Sequence, residues 1–404
     1  MANFSLMKQL TKSSGGKIVL LVMDGLGGLP MGEHTSTTLE HARTPNMDRL
    51  AAEGCSGLSH PIGRGITPGS GPAHLALFGY HPVDTPVGRG VLSALGIGFD
   101  LQDTDVAARG NFCTVDENGL IVDRRAGRIS SEEALPLVEM LDKIEVPGVE
   151  SFVRQVKEYR FVLVLRGEGL SGALADTDPQ AVGKAPLPAQ ALDEKSQPTA
   201  QFVQAWLDAA RQTLREQHPA NMVTLRGFAQ DPNLPKFDDV YRLNAACVAV
   251  YPMYKGVSRL VGMDVLDTGA HFGPVEEFQV VSDNWDKYDF FFVHIKPTDS
   301  RGEDGDFEAK AKVIESVDEA LPALLDLKPD VLIITGDHST PARLKSHSWH
   351  PVPTLLWAPA SHLPDGATTF GERAAQQGGL GHFPATDLMP MALAHALRLE
   401  KFGA

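Results

Sequence analysis

A chain of 404 residues is long for one compact core, so two domains, or one domain carrying a large insertion, are expected. Its hydrophobic fraction of 43% is that of a soluble globular protein, and no apolar run approaches the length of a membrane span. With 36 Lys and Arg against 51 Asp and Glu the net charge is −15, which excludes a general attraction to nucleic acid or an acidic membrane; an anionic substrate must meet a local basic cluster.

The first sixteen residues are polar and lack the apolar stretch of a signal sequence. Cys55, Cys113 and Cys247 are odd in number and have no paired spacing, which points to reduced thiols and a cytoplasmic setting. Lys17 to Met23 reads as a strand delivering Asp24-Gly25-Leu26-Gly27-Gly28 to a loop. These glycines lack the spacing of a dinucleotide fingerprint. Asp24, at the tip of a strand, is well placed to bind a metal, although a lone Asp there often only closes a turn. Thr44 to Gly54 reads as a helix, with Thr44 as N-cap, Pro45 in the first turn and Gly54 as the stop. A Gly- and Pro-rich passage, Gly63 to Pro72, then carries Gly69-Ser70-Gly71 to the mouth of an apolar, helical segment, Ala73 to Phe78. Ser70 there is either a cap or a group presented, among free N–H donors, to an incoming anion.

From Gly110 to Tyr254 the character changes. Strand-like pieces (Phe161 to Leu165, Met222 to Leu225) alternate with an amphipathic helix, Pro198 to Gln217, and a Pro- and Ala-rich loop, Ala181 to Gln197. Arg124, Arg125, Arg128, Arg154, Arg160, Arg166 and Arg226 cluster here. Any one of them can be mere surface charge. Several stand beside glycine, which lets a ligand approach closely, and forked guanidinium groups match carboxylate and phosphate, so the region reads as an anion-recognising lid.

Beyond Tyr254 the strand and helix rhythm returns: Lys255-Gly256, a buried strand Tyr288 to Ile295 leading to Lys296-Pro297-Thr298-Asp299, the stretch Ser300 to Asp306, and a helix Phe307 to Leu325. A strand from Val331 then presents Thr335-Gly336-Asp337-His338, with His347 nine positions on, before a strand Pro353 to Trp357 and a last helix Ala385 to Leu399. No internal repeat is present. Asp24, Asp299 and Asp337 thus each follow a strand, and ligands collect at the carboxyl ends of strands in open α/β sheets. Carboxylate plus imidazole suits Mn or Zn.

Together, Asp24-Gly25, the Thr44-Pro45-Asn46-Met47-Asp48 helix, Gly69-Ser70-Gly71, Asp299, Gly336-Asp337-His338 and His347 resemble the alkaline phosphatase superfamily. More narrowly, the run from Gly69 to Tyr80, Arg166-Gly167-Glu168-Gly169-Leu170, Tyr254-Lys255-Gly256 and His294 to Asp299 resemble the archaeal-type cofactor-independent phosphoglycerate mutases, over nearly the whole chain. The resemblance implies an α/β fold: an alkaline phosphatase-like core, residues 1–109 and 255–404, with a mainly parallel central sheet flanked by helices, interrupted by an α+β substrate-binding cap, residues 110–254. It implies two divalent metal ions, Mn2+ before Mg2+, Zn2+ or Co2+. Asp24, Ser70, Asp337 and His338 match the ligands of one ion, and Asp299 and His347 match two ligands of the other. Glu303 stands where the family commonly has His.

The implied reaction interconverts 3-phosphoglycerate and 2-phosphoglycerate, an isomerase step of glycolysis and gluconeogenesis, through a phosphoserine on Ser70. Lys255 assists protonation or holds the phosphoryl group, and Arg128, Arg166 and Arg226 bind substrate. The implied partner is a small phosphorylated molecule, with neither nucleic acid nor membrane involved. A metal-dependent phosphatase, or a phosphotransferase acting on another small hydroxyl acceptor as in homoserine kinase-like relatives, is the alternative; a non-catalytic anion or metal binder on the same fold is a third reading. A phosphoserine must be shielded from water, which gives an inserted lid its chemical purpose.

Overall fold

A computed structural model describes residues 4–269 and 273–403. The chain forms two compact units, Met1–Pro86 with Pro235–Ala404, and Val87–Leu234. In chain order, β1 (Ile18–Met23) and β2 (Cys55–His60) lie in the first unit. The second holds β3 (Val106–Val115), β4 (Ile121–Asp123), β5 (Glu150–Lys157), β6 (Arg160–Arg166) and β7 (Met222–Ala229). The chain then returns to the first with β8 (Ala245–Ala249), β9 (Asp264–Val265), β10 (Phe290–Ile295), β11 (Val331–Thr335), β12 (Val352–Trp357) and β13 (Gly381–Pro384).

The first unit is built on an eight-stranded sheet in the order β13-β2-β12-β11-β1-β10-β8-β9. Only the pairings of β12, with β11 and β2, are antiparallel. Every residue of β1, β10 and β11 is buried, as expected of parallel strands covered on both faces. Val19, Leu21 and Met23 pack with Ala311, Ile314 and Val317 of the helix Phe307–Ala320. Register matters most here. Met23 lies beside Ile295 and Val22 beside Thr335, so the carboxyl ends of three adjacent strands emerge together.

Several helices differ from expectation. The expected Phe307 to Leu325 helix ends at Ala320 and restarts as Pro322–Leu325, because Pro322 has no N–H to continue the ladder. The last helix spans only Leu388–His395, preceded by a tight turn at Ala385–Asp387 and followed by Leu397 at φ 57. Pro297–Asp304, a stretch without an apolar stripe, is also a helix, begun by proline and closed by Gly305 at φ 77.

In the second unit β3 is central, antiparallel to β6 and to β7, with β4 at its far end and β5 beyond β6. The helices Ser131–Leu141 and Gln197–Leu214 contribute to a core containing Phe112, Phe161 and Trp206. This unit is antiparallel sheet plus helices, the α+β type expected of the insertion, but its limits lie earlier than 110–254. Residues 106–109 open a strand that already pairs with β6, and Ala245–Ala249 pairs with β10 of the other sheet. Among the described residues no helix is long and apolar enough to cross a membrane.

Candidate active site

The in-register ends of β1, β10 and β11 set the geometry. Asp24 is the first residue after β1, and its N–H donates to the Ile295 carbonyl at the end of β10 (2.9 Å). Lys296 occupies the equivalent position after β10, and Asp337 and His338 follow β11. Asp299 stands in the first turn of the helix Pro297–Asp304, and Ser70 opens the helix Ser70–Leu77. The loop after β1 can come this close because residue 25 is glycine: it has φ +61, and a Cβ there would lie 2.5 Å from Thr340 Oγ1. From below, the buried ammonium of Lys310 donates to the carbonyls of Gly25 (2.7 Å), Gly27 (3.2 Å) and Thr340 (2.9 Å), tying the β1 loop to the β11 loop.

The proton positions around His338 follow from its neighbours. Thr340 donates its hydroxyl to Asp299 Oδ1 (2.6 Å), so its oxygen is left to accept from His338 Nδ1–H (3.0 Å). His338 Nε2 therefore carries a lone pair. It faces Ser70 Oγ at 3.3 Å, Asp24 Oδ1 at 3.3 Å and Asp337 Oδ2 at 3.2 Å. Atoms bound about 2.0 Å from a tetrahedral cation stand about 3.3 Å apart. Asp24 Oδ1 and Asp337 Oδ2 are buried with no hydrogen-bond partner among the described residues. Acceptor atoms collected at this spacing, two of them carboxylate oxygens without a donor among the described residues, fit a divalent cation.

A second group adjoins the first. His347 donates Nδ1–H to the Pro68 carbonyl (3.0 Å), which leaves its Nε2 facing Asp299 Oδ1 at 3.7 Å and Glu303 Oε1 at 3.9 Å, and its ring stacks on His338 at 3.6 Å. The ligand atoms of Asp299, His338 and His347 lie within 4.8 Å of one another. Glu303 is at the rim, its side chain 55% exposed.

Burial governs the charges. It pushes the Asp24 carboxyl up, but the Lys296 ammonium (2.9 Å) outweighs it and holds Asp24 well below the usual carboxylate range. Burial and the negative charge of Asp24 push Asp337 well above that range. Lys296 also holds Asp299 (2.6 Å), and despite burial these two carboxylates keep its ammonium charged. One ammonium is thus shared by two carboxylates, while burial and the charge of Asp24 disfavour ionisation of a third. Added positive charge would release it. Burial pushes His338 down to about 4, leaving it the neutral imidazole that a metal requires.

The structure therefore brings together Asp24, Ser70, Asp337 and His338, and beside them Asp299 and His347, with Glu303 at the edge. Lys255, half-buried on the helix Pro252–Leu260, makes no ion pair among the described residues. In the second unit, Arg166 is gripped by both carboxylate oxygens of Asp105 (2.8 and 2.7 Å) and donates to the Asp100 carbonyl. The Arg226 guanidinium lies 3.9 Å from Asp178, and Arg128 is exposed at φ 57. Sequence reading overlooked Lys296, Tyr254, whose hydroxyl donates to Asp24, and Thr340. Lys296 had a signal, since it follows its strand as Asp24 follows β1; the other two are revealed only by tertiary contact.

A mainly parallel α/β sheet, with a serine hydroxyl, buried carboxylates and imidazoles converging at its carboxyl edge, defines an α/β protein with a candidate divalent-metal site. A sequence profile for 2,3-bisphosphoglycerate-independent phosphoglycerate mutase matches residues 51–221. Over 404 residues the chain is 49% identical to a probable 2,3-bisphosphoglycerate-independent phosphoglycerate mutase of Thermus thermophilus, covering 99% of each chain. It is 48% identical to a probable mutase of the same kind from Aquifex aeolicus, covering 98% of this chain and 99% of that one. Among solved structures it is similar to the PH0037 protein of Pyrococcus horikoshii, with a TM-score of 0.83 at 32% identity over 96% of this chain and 100% of that one. It is also similar to the cofactor-independent phosphoglycerate mutase of Thermoplasma acidophilum, with a TM-score of 0.72 at 30% identity over 94% and 100%. The chain belongs to the 2,3-bisphosphoglycerate-independent phosphoglycerate mutase family.

Proposed function

We propose that this chain interconverts 3-phosphoglycerate and 2-phosphoglycerate through a phosphoserine on Ser70. The observation that carries the reading is the position of Ser70 Oγ, 3.3 Å from His338 Nε2 and at the mouth of a helix, in a chain of this family. Two divalent cations, Mn2+ first among the candidates, would be held by Asp24, Ser70, Asp337 and His338 and by Asp299, His347 and Glu303. They would supply the positive charge that acidifies the serine hydroxyl and offsets charge on the phosphoryl oxygens.

Ser70 loses its hydroxyl proton as Oγ bonds to phosphorus and the bond from phosphorus to the glycerate oxygen breaks, and that oxygen takes up a proton. Glycerate then turns, its other hydroxyl loses a proton as it attacks the phosphoserine, and Ser70 is restored. Lys296 and Lys255 are the ammonium groups proposed to hold phosphoryl oxygens, with Lys255 also supplying the proton. Arg128 and Arg226 keep guanidinium donors for the substrate's anionic groups, whereas Arg166 would have to exchange Asp105 for substrate. We place this chemistry in the cytoplasm, in keeping with three free thiols.

The test is a coupled assay of the metal-loaded protein on 3-phosphoglycerate, with released phosphate measured in parallel. Formation of 2-phosphoglycerate that far exceeds phosphate release is expected, and Ser70→Ala should abolish it with an unchanged melting temperature. Dominant phosphate release would make the enzyme a phosphatase. Turnover retained in the serine variant would remove Ser70 from the mechanism.

A further inference from the structure

Away from this centre, two imidazoles and a carboxylate converge on the surface of the first unit. His41 ends the short helix Thr38–His41, His34 lies in the preceding loop, and Glu308 is in the first turn of the helix Phe307–Ala320. His34 Nε2 lies 3.3 Å and His41 Nε2 3.4 Å from one oxygen, Glu308 Oε1. A charge-assisted hydrogen bond of this kind is about 2.7–2.9 Å long, so both approaches are too long to be strong ones. Both do equal the spacing of about 3.3 Å between two atoms on a tetrahedral zinc ion. The three ligand atoms lie within 4.8 Å of one another, near enough for one ion to reach them all.

The side chains are also fixed from outside the cluster. The buried ring of Phe307 stacks on His34 (4.3 Å between centroids, 12° between planes) and lies against His41 (5.3 Å), while the two imidazoles meet edge to face at 4.8 Å. Rings held this way lose little freedom on binding, which favours a ligand that needs both nitrogens at once. Two nitrogens and one oxygen leave a fourth tetrahedral position to water, and each side chain is partly exposed, so an ion has a path in.

We infer that His34, His41 and Glu308 form a divalent-cation site of the zinc class, separate from the catalytic centre, that links the loop at His34 and the helix Thr38–His41 to the helix Phe307–Ala320. The link bears on the centre indirectly, because that same helix carries Lys310 beneath the two catalytic loops.

The experiment is equilibrium dialysis of the full chain against Zn2+ at pH 7.5, with bound metal counted by elemental analysis for wild type, His34→Ala/His41→Ala and Glu308→Gln. Uptake at the catalytic centre is common to all three proteins, so the difference isolates the proposed site. Wild type should hold one more zinc than the double variant, Glu308→Gln should bind that ion about tenfold more weakly, and zinc should raise the wild-type Tm by about 2 °C more than that of the double variant. Melting in chelator reads the fold of each variant without metal. Should the double variant fold poorly, the exposed Glu308→Gln substitution decides alone. Equal zinc content in wild type and a folded variant would overturn the site.

Discussion

The hydroxyl of Thr340 fixes two groups of the candidate metal site at once: it accepts from His338 Nδ1–H and donates to Asp299 Oδ1. Valine keeps the shape and loses both bonds, which frees His338 from a single tautomer, and Thr340→Val should weaken divalent-metal binding by about 10–100-fold. Thr340→Ser should restore most of it; metal titration that finds wild-type affinity in the valine variant would count against this role. Glu303 is a different case. Four residues after Asp299 on one helix, it shares the face that points to His347, and burial together with the charge of Asp299 raises its carboxyl above the usual value. Glu303→Gln should loosen one of two bound cations about tenfold and leave the other in place, with Glu303→His recovering the loss. Two cations held as tightly by the Gln variant would leave Glu303 a rim residue facing water.

At the scale of the element, what matters is how loops are held against strands. Lys310 serves three carbonyls from two loops that are distant in sequence, and burial pushes its ammonium down to about 8. Lys310→Met would remove the donor shared by all three carbonyls, leaving those of Gly25 and Gly27 only the Thr340 N–H, and we expect a loss of about 2 kcal/mol in chemical denaturation, with weaker metal binding. Strands β1, β10 and β11 were legible because a strand buried on both faces is a continuous apolar run. So were the acids that follow them, since polar residues after such a run have a restricted set of uses. The helix Pro297–Asp304 was not, because its residues carry no apolar stripe; proline at one end and a left-handed glycine at the other set its limits. Ala245–Ala249 was missed for a related reason: three of its five residues are alanine, and the pairing with β10 makes it a strand. That omission moved the far border of the insertion.

At the scale of the molecule, the second unit is a continuous stretch with its own sheet and a core that includes the fully buried Trp206. Residues 87–234 expressed alone should fold, giving a cooperative melt and blue-shifted tryptophan emission; a gradual, featureless melt would show that the unit depends on the rest of the chain. The first unit is made the opposite way. Its central strand, β1, leaves the ribosome before any of the second unit, yet Ile18 pairs with Phe290 on one side and Val331 on the other. Six buried residues must wait, unpaired, while the whole second unit is synthesised and can already close on itself. Such long-range parallel pairing is slow and exposed to aggregation. The strand that anchors the candidate site is therefore also the segment for which a nascent chain would most need a chaperone, and release of an incomplete chain before β11 would yield a folded second unit attached to an unsatisfied sheet.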